Sequence, residues 1–104
     1  MAGFAAATEY GLEKQEEILS GTVYQIACMT WFTSTGHVLP KLFKFQDDAG
    51  ELQIVRELSI TYEETRNYSG IPSREYGCRA LIGGMMREFR LIFYIEACKW
   101  VMVV

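Results

Sequence analysis

Few side chains in this sequence could act as nucleophiles or as metal ligands, and those few are widely spaced. His37 is the only histidine, and the three cysteines, Cys28, Cys78 and Cys98, are 50 and 20 residues apart. No second histidine, cysteine or carboxylate lies at metal-ligand spacing from His37, and no CxxC pair occurs. Catalysis by a cysteine with His37 would need an elevated thiolate population, which nothing in the sequence indicates. We therefore predict no metal, no cofactor and no catalytic residue, and we expect His37 to be exposed in a turn.

The cysteines themselves are predicted to be structural. An odd and sparse set is unlike the framework of a secreted disulfide-rich domain, and free cysteine is commonly buried as a small hydrophobic residue. A Cys78–Cys98 disulfide is the alternative, since these two residues could lie on neighbouring strands.

Two pairs of adjacent carboxylates could suggest acid–base chemistry. Adjacent residues on a strand point to opposite faces, so Glu63 and Glu64 do not converge on one substrate. Asp47 and Asp48 lie in a segment that resembles a hairpin loop, where aspartate is favoured for its bonds to the backbone. Both pairs are therefore interpreted as structural.

Arginine and tyrosine side chains in the second half of the chain offer the clearest binding signal. Basic residues interleaved with aromatic residues on a sheet can bind single-stranded nucleic acid by stacking and phosphate contact. The alternative is a lattice of cross-strand ion pairs with interspersed glutamates such as Glu75 and Glu88. A hairpin at residues 83–84 would bring Arg79 near Arg87 or Glu88. The candidate face for nucleic acid or a small ligand comprises Tyr68, Arg74, Tyr76, Arg79, Arg87 and Arg90.

The apolar run at residues 100–104 favours a strand that is buried on both faces. Such a strand is either central in the domain or pressed against a second chain. The run therefore suggests a homodimer, whose candidate contact residues are Trp100, Met102 and Val104.

The composition is that of an ordinary globular domain. The chain has 104 residues, of which 50% are hydrophobic, and ten Lys and Arg against thirteen Asp and Glu give a net charge of -3. A slightly acidic domain is disfavoured as a general binder of nucleic acid or anionic membranes, although a local basic patch could still bind them. No positive charge precedes the apolar N-terminus, and charges interrupt the apolar stretch after Met86. We therefore expect a cytoplasmic protein without a signal peptide or membrane span.

The hydrophobic pattern predicts that strands position most of these residues. Residues 1–20 are interpreted as an N-terminal helix or arm, with helix-forming residues at 5–19, and residues 22–104 as the β-sheet body of a single domain. From Leu52 to Tyr62 apolar residues occupy the even positions except at Arg56, which favours a strand facing a core, with a bend near Arg56. We expect strands at residues 22–33, 38–46, 52–62, 76–82, 85–95 and 99–104, turns at 47–50, 83–84 and 96–98, and a loop at 65–73.

These strands favour an all-β, predominantly antiparallel fold. Closing the sheet, or curling it around a core, would protect the edge strands from pairing with other chains. We therefore predict a five- or six-stranded meander or a small SH3-like barrel, with one short N-terminal helix.

Four short motifs mark residues 38–104: Asp47-Asp48-Ala49-Gly50, Ser69-Gly70, Tyr76-Gly77-Cys78 and Lys99-Trp100. With these motifs, the C-terminal two-thirds of the chain resembles a family of small bacterial proteins of unassigned function. The resemblance implies no activity. The function predicted from the sequence is a non-enzymatic small β-domain that mediates protein–protein or self association. Binding of single-stranded nucleic acid or a small ligand through the arginine and tyrosine face is the alternative.

Overall fold

The computed structural model describes residues 21–104, which form eight β-strands and no helix. The helix or arm predicted for residues 1–20 lies outside the described residues. Segments rich in β-branched and aromatic residues account for the strands, and the all-β prediction is confirmed. The strands are β1 (Val23–Gln25), β2 (Ala27–Phe32), β3 (Val38–Gln46), β4 (Leu52–Val55), β5 (Leu58–Tyr68), β6 (Ile71–Ile82), β7 (Met85–Tyr94) and β8 (Lys99–Val103).

The strands form two antiparallel sheets that pack against each other. The five-stranded sheet has the order β1-β8-β7-β6-β5, and the three-stranded sheet has the order β2-β3-β4. Phe43 and Val55 of the three-stranded sheet share one core with Tyr76, Leu91 and Met102 of the five-stranded sheet. The face of each sheet turned toward this shared core is its inner face, and the opposite face is its outer face.

The chain passes from one sheet to the other at two bends. Ile26 separates β1 from β2, and Arg56 with Glu57 separates β4 from β5. The bend predicted near Arg56 is confirmed. Each bend also splits one predicted strand into two strands of different sheets, which is why there are eight strands instead of five or six. The predicted small barrel is wrong, because the strands hydrogen-bond as two separate sheets.

In β4, the strand before the Arg56 bend, the odd positions face the core, whereas the sequence predicted that the even positions would. Leu52 and Ile54 are predicted to point inward, but they are 60% and 48% exposed, whereas Val55 is 2% exposed. Val55 pairs with the buried Phe43, so the odd positions of β4 face the shared core. The alternating pattern was continuous in sequence, but the bend places its two halves in different sheets.

Tight turns connect the long strands of the five-stranded sheet. Ser69 and Gly70 have φ angles of 54° and 84°, as a two-residue hairpin turn between β5 and β6 requires. The loop predicted at residues 65–73 is wrong. Only Ser69 and Gly70 form the turn, and β5 and β6 extend up to it on either side. The turn predicted at Gly83 and Gly84 is confirmed, with φ angles of 61° and 81°.

Candidate functional site

The register of the five-stranded sheet divides the predicted arginine and tyrosine set between two faces. Side chains alternate along a strand, so three of the six lie on each face. The outer face holds Tyr68, Arg79 and Arg90, and the inner face holds Arg74, Tyr76 and Arg87. Tyr76 is fully buried, and its hydroxyl donates a hydrogen bond to the carbonyl of Val38. The six residues therefore do not form one binding face.

On the outer face of the five-stranded sheet, a buried carboxylate collects several of these side chains. Glu75 is 2% exposed and accepts hydrogen bonds from the hydroxyls of Tyr62 at 2.5 Å and Tyr68 at 3.0 Å. Side-chain nitrogens of Arg66 and Arg90 lie 3.5 Å and 3.9 Å from the same carboxylate. Burial, reinforced by the bond to Glu75, raises the pKa of Tyr62 to about 12, so its hydroxyl remains a donor at neutral pH. This arrangement supports the ion-pair interpretation of the arginines.

A second polar cluster joins the turn before β3 to the five-stranded sheet. Glu63 Oε2 lies 2.5 Å from both Nε2 of His37 and a terminal nitrogen of Arg74. Burial acts to raise the pKa of Glu63, but the hydrogen bonds from His37 and Arg74 outweigh it and hold the pKa below its usual value. His37 follows a turn as predicted, but this pairing leaves it partly buried. Its contacts anchor the turn to β5.

The cysteines are free thiols, so the alternative Cys78–Cys98 disulfide is not formed. Cys78 lies in the shared core and Cys28 packs against it, whereas Cys98 is exposed in the turn between β7 and β8. Burial raises the pKa of Cys28 to about 11 and that of Cys78 to about 12, so both thiols stay protonated and weakly nucleophilic near neutral pH. Within residues 21–104, no group of three or more His, Cys, Asp and Glu side chains could hold a metal ion.

The residues predicted to mediate self-association lie mostly inside the molecule. β8 is hydrogen-bonded between β1 and β7, and both Trp100 and Met102 belong to the shared core. The indole of Trp100 also donates a hydrogen bond to Thr30 Oγ1 on β2 at 3.0 Å. Of the three predicted residues, Val104 alone is exposed. The apolar run is explained by a central strand, so Trp100 and Met102 are not available to a second chain.

The outer face of the three-stranded sheet is apolar and basic. The pairing of the strands places on it Ala27, Met29, Trp31, Leu39, Lys41, Leu42, Lys44, Gln46, Leu52 and Ile54. Seven of these ten residues are apolar, two are lysines and none is acidic. Trp31 is 58% exposed. Monomeric proteins seldom expose a large contiguous apolar patch unless it binds a partner, so this surface, the Trp31 face, is the candidate functional site.

A β-bulge forms the centre of the Trp31 face. The β2–β3 register shifts by one residue, which leaves Lys41 as the extra residue of β3 between Pro40 and Leu42. Lys41 and its neighbour Leu42 therefore both point outward, and Lys41 Nζ lies 4.5 Å from the ring centroid of Trp31, within the range of a cation–π contact. Sequence reasoning missed this site. The available signal was the break in alternation at Lys41 and Leu42.

A groove of about 840 Å³ continues from the Trp31 face onto the outer face of the five-stranded sheet. Lys41 and Ile54 line it on the first sheet, Arg79 and Met86 line it on the second, and Arg56 lines it at the bend between them. The groove thus brings three cations and one carboxylate, that of Glu57, beside exposed aliphatic side chains. Arg79 is already paired, because its Nε lies 3.7 Å from the carboxylate of Glu88 on β7.

A smaller cleft of about 360 Å³ lies beside the turn at residues 47–50. Its lining includes Tyr24, Asp48 and Arg87, and the hydroxyl of Tyr24 donates to Asp48 at 3.2 Å. The carboxylate of Asp47 accepts hydrogen bonds from the backbone of Ala49 and Glu51, which confirms its predicted role in stabilising the turn. The cleft therefore mixes both signs of charge and its carboxylates are engaged locally.

Comparisons of this chain with protein-family models, with curated proteins and with solved structures gave no match. The resemblance of residues 38–104 to small bacterial proteins stays a prediction. Within residues 21–104, no helix is long and apolar enough to cross a membrane.

Proposed function

We propose that this protein is a non-enzymatic interaction module that binds an acidic, amphipathic segment of a partner protein on the Trp31 face. The composition of that face carries the proposal. Exposed apolar side chains surround Lys41 and Lys44, and no acidic residue lies among them. A partner that covers aliphatic surface and supplies carboxylates to the lysines would satisfy both features.

The adjoining groove supports an extended occupant instead of a small molecule. The groove continues the apolar surface past Arg56 to Met86 on the neighbouring sheet, and its three cations outnumber its one carboxylate, that of Glu57. A polypeptide segment can follow such an open surface over both sheets, whereas small molecules usually bind in enclosed pockets that bury most of their surface.

A second copy of the same face fits less well. In a two-fold symmetric contact the same patch meets itself, so Lys41 and Lys44 of the two copies would approach each other without an intervening carboxylate. Homodimerisation through another surface stays a prediction.

Single-stranded nucleic acid is the alternative predicted from the sequence. The Trp31 face has fewer side chains that would bind it than would bind an acidic peptide. Base stacking needs aromatic side chains, and among the described residues of the Trp31 face only Trp31 is aromatic. Aliphatic residues such as Leu52 and Ile54 neither stack on bases nor bind phosphate.

The test is binding of a short peptide of mixed glutamate and leucine, followed by tryptophan fluorescence. The chain has two tryptophans, and Trp100 is buried, so a change in emission on binding reports on Trp31. Lys44→Glu should weaken binding by about tenfold, because it replaces attraction by repulsion. Arg87→Glu makes the same charge reversal away from the face and should leave binding unchanged.

Two outcomes would overturn the proposal. The first is equal binding of a matched peptide that carries lysine in place of glutamate. The second is tighter binding of oligothymidylate with the same loss in Lys44→Glu, which would assign the face to single-stranded nucleic acid. Thermal unfolding of both variants checks that each one is folded in the binding assay.

A further inference from the structure

A second apolar cluster lies on the outer face of the five-stranded sheet. Its members Ile92, Tyr94, Val101 and Val103 are all buried, and Ile92 and Val101 are both 0% exposed. The three strands outside this sheet, β2 to β4, pack against its inner face. None of the described strands outside the sheet therefore covers the outer cluster, although side chains on an open sheet face normally keep part of their surface in water.

We propose that this face is the docking surface for residues 1–20 of the same chain. The inference is independent of the Trp31 face and goes beyond the proposed function. These residues precede Gly21, which lies directly against the outer cluster. A Cβ at Gly21 would be 3.1 Å from Cγ1 of Val103 and 2.7 Å from the carbonyl oxygen of Val104. The chain thus reaches β1 from a point beside the cluster.

Charge complementarity favours this occupant. Residues 1–20 contain four glutamates and one lysine, which accounts for the whole net charge of -3, while the remaining residues have nine acidic and nine basic side chains. Arg66, Arg90 and Lys99 lie on the outer face beside the cluster, and the two arginines also contact the carboxylate of Glu75. Acidic side chains of the N-terminal residues would meet these cations.

The length and apolar content of the segment also fit the face. The sequence predicts a helix at residues 5–19, and fifteen helical residues would extend over about 22 Å. Five strands with four spacings of about 4.8 Å give the sheet a width of about 19 Å. Residues 5–19 carry four large apolar residues that could contact the cluster: Tyr10, Leu12, Ile18 and Leu19.

Zero-length carbodiimide coupling of the full chain tests the proposal, because it joins carboxylates to amines that are in contact. The described residues hold three lysines: Lys99 on the outer face of the five-stranded sheet, and Lys41 and Lys44 on the Trp31 face. We expect glutamates of residues 1–20 to be coupled to Lys99 in monomeric protein. The lysines of the Trp31 face are the internal control and should be coupled to them much less.

Matched substitutions in the full chain supply the second measurement. Leu19→Ser should lower Tm by several degrees and reduce the Lys99 coupling severalfold, because it removes apolar contact with the cluster. Glu16→Ser introduces the same residue at a charged position and should change Tm much less.

Coupling of residues 1–20 to Lys41 and Lys44 at the same yield as to Lys99 would overturn the proposal. Lys99 coupling found only between two chains, as shown by mixing isotopically labelled and unlabelled protein, would also overturn it and assign the face to a second copy. Absence of Lys99 coupling with an unchanged Tm in Leu19→Ser would do the same.

Discussion

The outer faces of the two sheets differ in how far they expose the same residue type, isoleucine. Ile92 and Ile54 both point away from the shared core, yet Ile92 is 0% exposed and Ile54 is 48% exposed. The outer face of the five-stranded sheet also holds the arginine and tyrosine network around Glu75, whereas the Trp31 face holds two lysines with no carboxylate among them. The comparison shows that two sheet faces form the shared core and a third holds a buried apolar cluster, whereas the Trp31 face leaves large apolar side chains exposed.

The two isoleucines provide the most direct test of this comparison. Ile92→Ala should lower the free energy of unfolding by about 2–5 kcal/mol, because it removes buried methyl groups and leaves a cavity. Ile54→Ala should cost less than about 1 kcal/mol, because much of that side chain is already in water. Urea unfolding measures both. Equal losses would mean that the Trp31 face belongs to the folding core.

The close contact between the Tyr62 ring and the backbone of Gly77 should give the next largest effect on the free energy of unfolding. A Cβ at Gly77 would lie 2.1 Å from Cε2 of Tyr62, whose ring therefore covers this glycine. Gly77→Ala should cost about 1–3 kcal/mol through overpacking, although alanine has no penalty of its own in a strand. In a Tyr62→Ala background the same substitution should cost less, with only the 2.8 Å approach to Oγ1 of Thr61 left to relax. A cost that persists there would place the strain elsewhere than at the tyrosine ring.

The Glu63 cluster, which fastens the three-stranded sheet's turn to β5, predicts a dependence on pH. Because the pKa of Glu63 is held below its usual 4.5, the carboxylate stabilises the fold above that value. This contribution is lost as pH falls through the lowered pKa. Glu63→Gln should cost roughly 1 kcal/mol at neutral pH and approach the wild type in acid.

Its neighbour Glu64 is the control, since it points to the opposite face and its side chain is 48% exposed. Glu64→Gln should change stability by less than about 0.5 kcal/mol at any pH. A constant difference between Glu63→Gln and wild type from neutral to acid pH would contradict the assignment.

The smallest expected effect concerns reaction rates and leaves the fold unchanged. In native protein at mildly alkaline pH, a thiol reagent such as Ellman's reagent should react quickly with Cys98, which is exposed. Cys28 and Cys78 should react slowly, since burial raises their pKa to about 11 and about 12. In denatured protein, Cys28 and Cys78 should react as quickly as Cys98. Rapid reaction of all three thiols in native protein would show that the two sheets separate readily.

Local sequence patterns, namely the composition of strands and the residues that favour turns, were enough to predict much of the fold. The strand at residues 38–46 and the glycine turn at 83–84 appear where composition and turn propensity placed them. The direction that β4 faces was not predictable, because the Arg56 bend makes two sheets out of one alternating run. The Trp31 face was missed for the same reason. Whether Trp31 and Ile54 lie inside or outside depends on which strands pair and on the bulge at Lys41, and both are tertiary properties.

The pairing of β1 with β8 has a consequence for synthesis of the chain. Val23 lies opposite Val103, 80 positions later, whereas β2 to β4 and β5 to β7 join neighbours in sequence. On the ribosome the local hairpins can form as they emerge, but the distant pairing must wait until β8 has been translated, and contacts of such long range form slowly. Until then β7 presents an open edge to other nascent chains. The edge of β7 is therefore protected last, when β8 pairs with both β7 and β1.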